Sequence, residues 1–502
     1  MNKTLLLLPV ISLLLLPLAG CNKEAEEVEE DYHDGSIRLE GAALQEAIDY
    51  RDATAAEYYA ANPDFFKSGT DLPEGLDWQD GSEQAEFTSP EAKRGGVETI
   101  LVPDYPRTFR FVGDDSSTSF RSYIHDDHSV SLVKKHPETG GYYTGLAEKW
   151  AISEDKKTVF FKLDPNAKFS DNVPVRTNHF KYTFYFMRSK WINAPWYNNW
   201  YSEKYTHLTV YDDLTFSVGL KDAKPDSLRF FEEDLFPKPE HFYKDFGEDY
   251  LTKYGWRFEP TTGPYIINRD GIKKGRSITQ SRLDDWWAND KRFWRFRYNP
   301  DQRKYVVTKD PDKALESFIA GNYDMYRIRT PDVWGEKLDK PNVNKGYIVR
   351  TQYYNQVPRP CYSLRINKSK PHLDNRDVRE GLQYATNFES VLENYFRGLY
   401  QRMESSSDGY GEFSSPVVQA RRFSPEIARE YFAKAGFDQT GPDGILMNAE
   451  GQRLSFTITT GYRRYEDVLA ILKQEALKAG VEYRLEIQEA TAAWKKVQEK
   501  KH

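Results

Sequence analysis

The chain reads as an α/β protein, and three features of its sequence predict that class. Strand and helix signals alternate from about residue 96 to the end, as they do when helices pack onto sheets. Thr158 to Leu163 alternates at period two, with Val159, Phe161 and Leu163 on one face and Thr158, Phe160 and Lys162 on the other. Asp310 stands where a helix N-cap belongs and Pro311 at the first helical position. Gly321 lies just past the end of an apolar stripe of Ala314, Leu315, Phe318 and Ile319.

The remaining elements follow in order. Up to about Gly95 the sequence is polar, with one helix expected over about Ala43 to Ala61. Phe180 to Met187, a dense aromatic run after Pro174 and Thr177, reads as a helix packing onto the strand at Thr158. Lys291 to Tyr298 interleaves cations and aromatics at period two and reads as a strand with Phe293, Arg295 and Arg297 on one face. Asp374 opens a helix carrying Val378, Leu382 and Ala385, with a continuation through Val391, Leu392 and Tyr395 to Gly398. Val468, Leu469, Leu472 and Leu477 make a helix closed by Gly480, and Val481 to Ile487 is the strand after it. Thr491 to Lys501 begins a further helix. No internal repeat stands out.

The first residues look like an export signal. Lys3 supplies a positive start, Leu5 to Leu8 and Leu13 to Leu16 a greasy middle, and Leu18-Ala19-Gly20-Cys21 small residues at a cleavage point. A spanning helix needs about 20 apolar residues, so this stretch is short for a permanent anchor. Leu18 to Cys21 also resembles a bacterial lipobox, in which Cys21 takes the lipid and becomes the first mature residue. Residues 1–20 are then a signal peptide and 21–95 an acidic tether and accessory segment. Glu24, Glu26, Glu27, Glu29, Glu30, Asp31 and Asp34 crowd its start with almost nothing to bury.

Composition narrows the class further. At 502 residues and 39% hydrophobic, the chain can bury large cores and form more than one domain. Of its 2 cysteines, lipid on Cys21 would leave Cys361 alone, so stability rests on packing rather than on an intramolecular disulfide. A net charge of −7 argues against a nucleic-acid binder held by a basic surface. With 34 Tyr, 29 Phe and 11 Trp, aromatics exceed what cores alone would use, and a ligand cleft could take the surplus.

Enzyme motifs are missing. There is no G-x-S-x-G and no H-E-x-x-H, and Gly271 to Ser277 has one residue too few between its glycines for a phosphate loop, so it reads as a surface turn. His125-Asp126-Asp127-His128 has the residue types of a metal site, but a structural site wants four closed ligands and no Cys-rich partner follows. A solvated polar loop is the reading adopted, and no metal or cofactor is expected.

The motifs that do stand out occur in ordered blocks. Gly145-Leu146-Ala147-Glu148-Lys149-Trp150, then Ser153, Asp155 and Thr158 to Leu163, then Ala167 to Asp171 and Pro174-Val175 form the first. Thr262-Gly263-Pro264-Tyr265 forms the second. Asp284 to Trp287, Arg297-Tyr298-Asn299 and Ala314 to Asp324 form the third. Tyr362 to Asn367, Pro371, Asp374, Val378-Arg379 and Leu382 to Ala385 form the last. Together they resemble the family 5 extracellular solute-binding proteins, the periplasmic receptors of peptide and nickel ABC importers. The spacing around Arg297-Tyr298-Asn299 is most similar to the subgroup that imports oligopeptides and microcin C.

Two departures stand against the resemblance. The family's Asp-Gly turn is Asp171-Asn172 here, and Asn tolerates positive φ better than most residues. Family members also continue well past the strand at Val481 to Ile487 and return to the first lobe, so the resemblance implies a C-terminus cut short in this chain.

The resemblance implies a two-lobed periplasmic binding protein fold of type II, with the lobes joined by a hinge. Lobe I would span residues 96–330 with an inserted subdomain of about 120–258, and lobe II residues 331–502. It implies a lipid-anchored, monomeric receptor in the periplasm or cell envelope that captures oligopeptides and hands them to ABC permease subunits in the inner membrane. No nucleic-acid partner is expected. The same fold holding an oligosaccharide or other small solute is the alternative, and a secreted hydrolase with paired carboxylates a third reading without a motif.

Candidate ligand-binding residues come from position. Asp104, Tyr105 and Arg107 follow the first strand, where the ligand crevice of an α/β sheet lies. Asp104 would pair a ligand ammonium and Arg107 a carboxylate, and a solvated loop is the plain alternative. Trp196, Tyr197, Trp200 and Tyr201 lie among Asn193, Asn198 and Asn199 outside any periodic pattern, as either a cleft wall or ordinary subdomain core. Tyr353, Tyr354 and Asn355 precede the strand at Tyr362, at a hinge or cleft edge.

Overall fold

The computed structural model of the chain describes residues 37–126, 129–353, 363–411 and 414–502. The expected signal peptide, the lipidated Cys21, the acidic run, Asp127, His128, Tyr354, Asn355 and Cys361 lie outside the described residues.

Within the expected accessory segment, the residues described from 37 onward pack onto the fold. The single helix expected over 43–61 is two, Gly41–Asp49 and Ala53–Ala61. Asp52 makes the break: its carboxylate accepts the backbone N–H groups of Thr54 and Ala55, which caps the second helix and ends any continuous run. Leu44, Ile48, Tyr58 and Tyr59 pack against the main core. Phe66–Ser68 then joins a sheet as its outermost strand, parallel to Tyr205–Val210.

That sheet has five strands in the order Phe66–Ser68, Tyr205–Val210, Thr215–Leu220, Thr158–Leu163, Ala147–Ile152, antiparallel beyond the first pair. The strand expected at Thr158 ends where the alternation ends, although Phe160 on its second face is also buried. The aromatic helix is Thr177–Arg188, and Phe180 stacks on Phe216 of the neighbouring strand with ring centroids 4.7 Å apart. Between strand and helix, Asp171-Asn172 makes the expected turn with Asn172 at φ 81°.

A second sheet runs Ile272–Lys273, Ser277–Arg282, Gln302–Val307, Val97–Val102, and Tyr265–Ile266 pairs with the far end of Ser277–Arg282. Residues 271–277 are the hairpin turn of this sheet, as expected of a surface turn. The last pair is parallel, in register from Gln302 opposite Val97 to Val307 opposite Val102. Its core is separate: Val102, Phe109, Phe120, Phe258, Ile267, Ile278 and Tyr305.

The expected strand at Lys291 to Tyr298 does not form. Backbone bonds from Trp294 and Arg295 back to Lys291 coil the segment into turns, and Phe296 and Tyr298 adopt φ 66° and 54°. Phe293 and Trp294 are both buried, so adjacent side chains enter the core where a strand would have sent them to opposite faces.

Beyond the helix Pro311–Ile319, capped by Asp310 as expected, the chain enters a body with its own core. Helices Arg376–Ala385, Pro425–Lys434 and Glu466–Lys478 pack around a parallel pair, Ser455–Thr460 and Glu482–Ile487. The helix expected from Asp374 begins one residue later, with Asn375 as its cap. It stops at Ala385, where Thr386 and Asn387 interrupt the expected continuation. Asn387 caps the next turn through the N–H of Ser390. The final helix is Ala490–Gln498. The core of this body shares no residue with either core of the preceding one, so the two stand as separate lobes.

Candidate ligand crevice

The parallel pair Val97–Val102 and Gln302–Val307 of the first lobe and the parallel pair Ser455–Thr460 and Glu482–Ile487 of the second bring their carboxyl ends toward a common space. In the first lobe Val102 and Val307 end side by side, leading into 103–107 and 308–310. In the second, Thr460 and Ile487 end side by side, leading into 461–465 and 488–490. Carboxyl ends of parallel strands are where open α/β sheets bind ligands, because loops and helix N-termini gather there. Gly461 lets the second pair of ends meet closely: a Cβ there would stand 2.6 Å from the Cα of Ala490.

The two sets of loops touch. Arg107 Nη2 donates to Glu489 Oε2 at 2.7 Å across the space between the lobes. Asp115 lies 3.7 Å from the other arm of the guanidinium. Glu489 caps the helix Ala490–Gln498 by accepting the N–H groups of Thr491 and Ala492 at 3.0 and 3.2 Å. Burial alone would raise its carboxyl, but those two N–H groups and then Arg107 hold it below the usual range. Asp104 is pushed up, first by burial and then by the neighbouring Glu489, against the pull of Lys309 and Arg107. Asp310 is held down by the N–H groups of its helix, with Lys313 and Arg463 of the second lobe adding to the effect. The crevice mouth thus carries both signs of charge on both lobes.

A separate cluster of aromatics lies on the body of the five-stranded sheet. Trp196, Tyr197, Trp200 and Tyr201 lie on one helix, Pro195–Glu203, with Pro195 at its first turn, so their spacing is periodic after all. Trp196 stacks on Trp200 at 5.1 Å and 15°, and Trp200 on Phe230 at 6.0 Å and 20°. Trp196 is 58% exposed, whereas Tyr201 is 2% exposed and donates its hydroxyl to the Asp234 carbonyl. Tyr197 accepts from Arg121 at 3.0 Å. The core alternative therefore describes Tyr201, and an open face describes Trp196. Arg229, beside Phe230, is raised chiefly by Glu233, with a smaller contribution from Tyr410.

Tyr105 packs at the edge of the second sheet's core, 6.5 Å from Trp256. Tyr353 is 86% exposed, and its neighbours Tyr354 and Asn355 lie outside the described residues. His125 corrects the expectation of a solvated loop: it is 3% exposed and its Nε2 lies 3.2 Å from the Phe109 carbonyl. Burial, with Lys238 close by, drives its pKa to about 3. Lys238 is itself buried on Glu259, which also accepts from Tyr243. Among the described residues no group of three or more His, Cys, Asp or Glu could hold a metal ion. Sequence reasoning missed Glu489 and Arg463. The signal for Glu489 was present, since a carboxylate one residue before a helix, just after a strand, is a cap at a carboxyl end.

The family model for the middle region of bacterial extracellular solute-binding proteins of family 5 matches residues 141–502. Among curated relatives, the uncharacterized protein YejA of Escherichia coli is 28% identical over 324 residues, which is 64% of this chain and 51% of that one. The chain thus spans about half the length of the curated relatives it matches. Among solved structures, the oligopeptide-binding protein AppA of Bacillus subtilis, in complex with a nonapeptide, superposes with a TM-score of 0.64 at 19% identity, over 81% of this chain and 77% of AppA. A mannohexaose-bound periplasmic oligopeptide-binding protein of Thermotoga maritima gives 0.63 at 16%, over 80% and 74%. These likenesses show the type II, two-lobed periplasmic binding protein fold.

Proposed function

The chain belongs to the bacterial extracellular solute-binding proteins of family 5, and on that premise we propose that it is the solute-capturing component of an ABC importer. It takes an oligopeptide into the crevice between its lobes and presents it to a membrane permease, tethered to the envelope by lipid on Cys21. One copy suffices, because both halves of the crevice come from one chain.

The observation that carries this reading is the meeting of two sets of strand ends, one per lobe, through the Arg107–Glu489 contact. Both partners are about half-exposed, and such a pair is worth only about 0–1 kcal/mol. It does not lock the lobes. A guest that touches both adds contacts found only in the closed state and shifts the population toward it. That closed shape is what a permease can read. Peptides suit the crevice because strand ends offer backbone donors and acceptors, and both signs of charge stand ready for the ammonium and the carboxylate.

The stacked faces of Trp196, Trp200 and Phe230 favour a second reading, an oligosaccharide lying on the aromatic cluster. Native mass spectrometry of the protein purified from cells separates the two: co-purified peptides are expected, and sugars without peptides reverse the assignment. Lipid on Cys21 is checked on the same sample. A diacylglyceryl mass on the mature N-terminus is expected, and its absence, or a retained leader, removes the anchor from the proposal.

A further inference from the structure

Arg107 is the crevice residue best suited to a carboxylate, and it already holds one. Its guanidinium can form two parallel bonds, yet Glu489 engages it through Nη2 alone, Asp115 stands at a looser 3.7 Å from Nη1, and half of the Arg107 side chain stays exposed. Glu489 does not depend on Arg107 for partners, since Thr491 and Ala492 still donate to it if the contact breaks. Nor is its position free of opposition. The half-buried Asp104 lies close enough to feel the same carboxylate, and Lys309, Arg463 and Arg464 are the other cations in the loops at these strand ends. A contact with a weak hold, an independent anchor and a like charge beside it is easily exchanged.

We infer that Glu489 is an internal stand-in for a solute carboxylate on Arg107, and that the solutes this crevice prefers carry a free carboxylate which displaces it. The inference rests on the crevice being the ligand site. Displacement changes what joins the lobes: the direct Arg107–Glu489 bridge is replaced by one through the solute. A neutral solute leaves Glu489 in place and finds Arg107 occupied. Selectivity for acids then comes from Arg107, and Glu489 sets the cost of access.

Calorimetry on the full chain tests this with one peptide in two forms, free acid and C-terminal amide. Wild type binds the acid about tenfold tighter, the size of one charge-assisted hydrogen bond. Arg107→Leu brings the ratio close to one while amide binding persists. Glu489→Gln raises acid affinity about twofold to fivefold, the range an exposed ion pair allows, and so widens the acid-to-amide ratio. An acid-to-amide ratio that survives R107L, or an acid affinity that E489Q does not raise, overturns the inference. The same pair of variants is run with glucuronate against glucose. If wild type takes no peptide but prefers the sugar acid through Arg107, the peptide reading fails and this one stands. No preference for the acid in either series overturns it.

Discussion

Asn172 sits at φ 81° in the turn after Phe169, where side chains with a Cβ are strained. Its amide does more than tolerate the angle: Oδ1 accepts from Arg38 at 2.5 Å and Nδ2 donates to the Leu39 carbonyl at 3.3 Å. Asn172→Gly and Asn172→Ala both lose those bonds, but only the alanine adds backbone strain. The alanine variant should therefore be less stable than the glycine variant by about 1 kcal/mol in urea denaturation. Equal midpoints would show the turn relaxing to another conformation. Asp234 makes a second prediction. Burial, then the charge of Glu233, pushes its carboxyl up to about 6. Its folded pKa lies above the unfolded value of 3.8, so the ionised form costs stability at pH 7.5. That cost fades as pH falls through about 6 toward 4. Asp234→Asn should stabilise by about 1–2 kcal/mol at pH 7.5 and progressively less at lower pH, read as a difference in melting temperature between the two proteins at each pH. The turn was legible because positive φ has few residue types to choose from. Asp234 was not, because its burial comes from Tyr201 and a helix elsewhere in the chain.

Elements with local punctuation were legible to within a residue or two. The helix at Pro311 has its cap, its proline and its glycine within a few positions, and the start of the one at Arg376 differs from expectation only in which of two adjacent side chains caps it, although its expected continuation is broken at Thr386 and Asn387. The aromatic elements were harder. In Lys291 to Tyr298 the alternation is real, but the segment is buried on more than one side, so period two no longer implies a strand. In Pro195–Glu203 the aromatics recur at i, i+1, i+4 and i+5 on one face, but the helix is only 9 residues long and the stripe too short to stand out. Its two ends of exposure give a test. Trp196→Ala should leave stability within about 0.5 kcal/mol, as for exposed sites, while weakening solute binding. Tyr201→Ala should cost about 3 kcal/mol or more through the cavity it leaves. Thermal denaturation beside calorimetry distinguishes the two, and loss of stability in W196A with unchanged binding would make the cluster plain core.

At the scale of the molecule, the fold was legible through ordered motifs spread over the chain, and the crevice was half legible. Position after the first strand pointed to Asp104 and Arg107, but no local pattern joins Arg107 to a residue 382 positions away. That pairing exists only once two sheets face each other. Solute should therefore act on the whole shape. Small-angle scattering is expected to show a smaller radius of gyration with bound solute, and a saturating ligand at 100 times its dissociation constant should add about 2.7 kcal/mol of stability. A radius unchanged by a ligand that raises the melting temperature would mean binding without closure.

The short strand Phe66–Ser68 carries a practical consequence. It lies along the Tyr205–Val210 flank of the five-stranded sheet, and the helices before it cover aromatic core. A recombinant protein trimmed to begin near residue 96 would bare that flank and a patch of Tyr and Phe rings, a template for pairing with other copies. Such a version should aggregate on purification where one beginning near residue 37 stays dispersed. Residues 37–95 lie ahead of the family-matched region, which begins at 141, and expression boundaries drawn from family likeness alone would discard them along with the strand Val97–Val102.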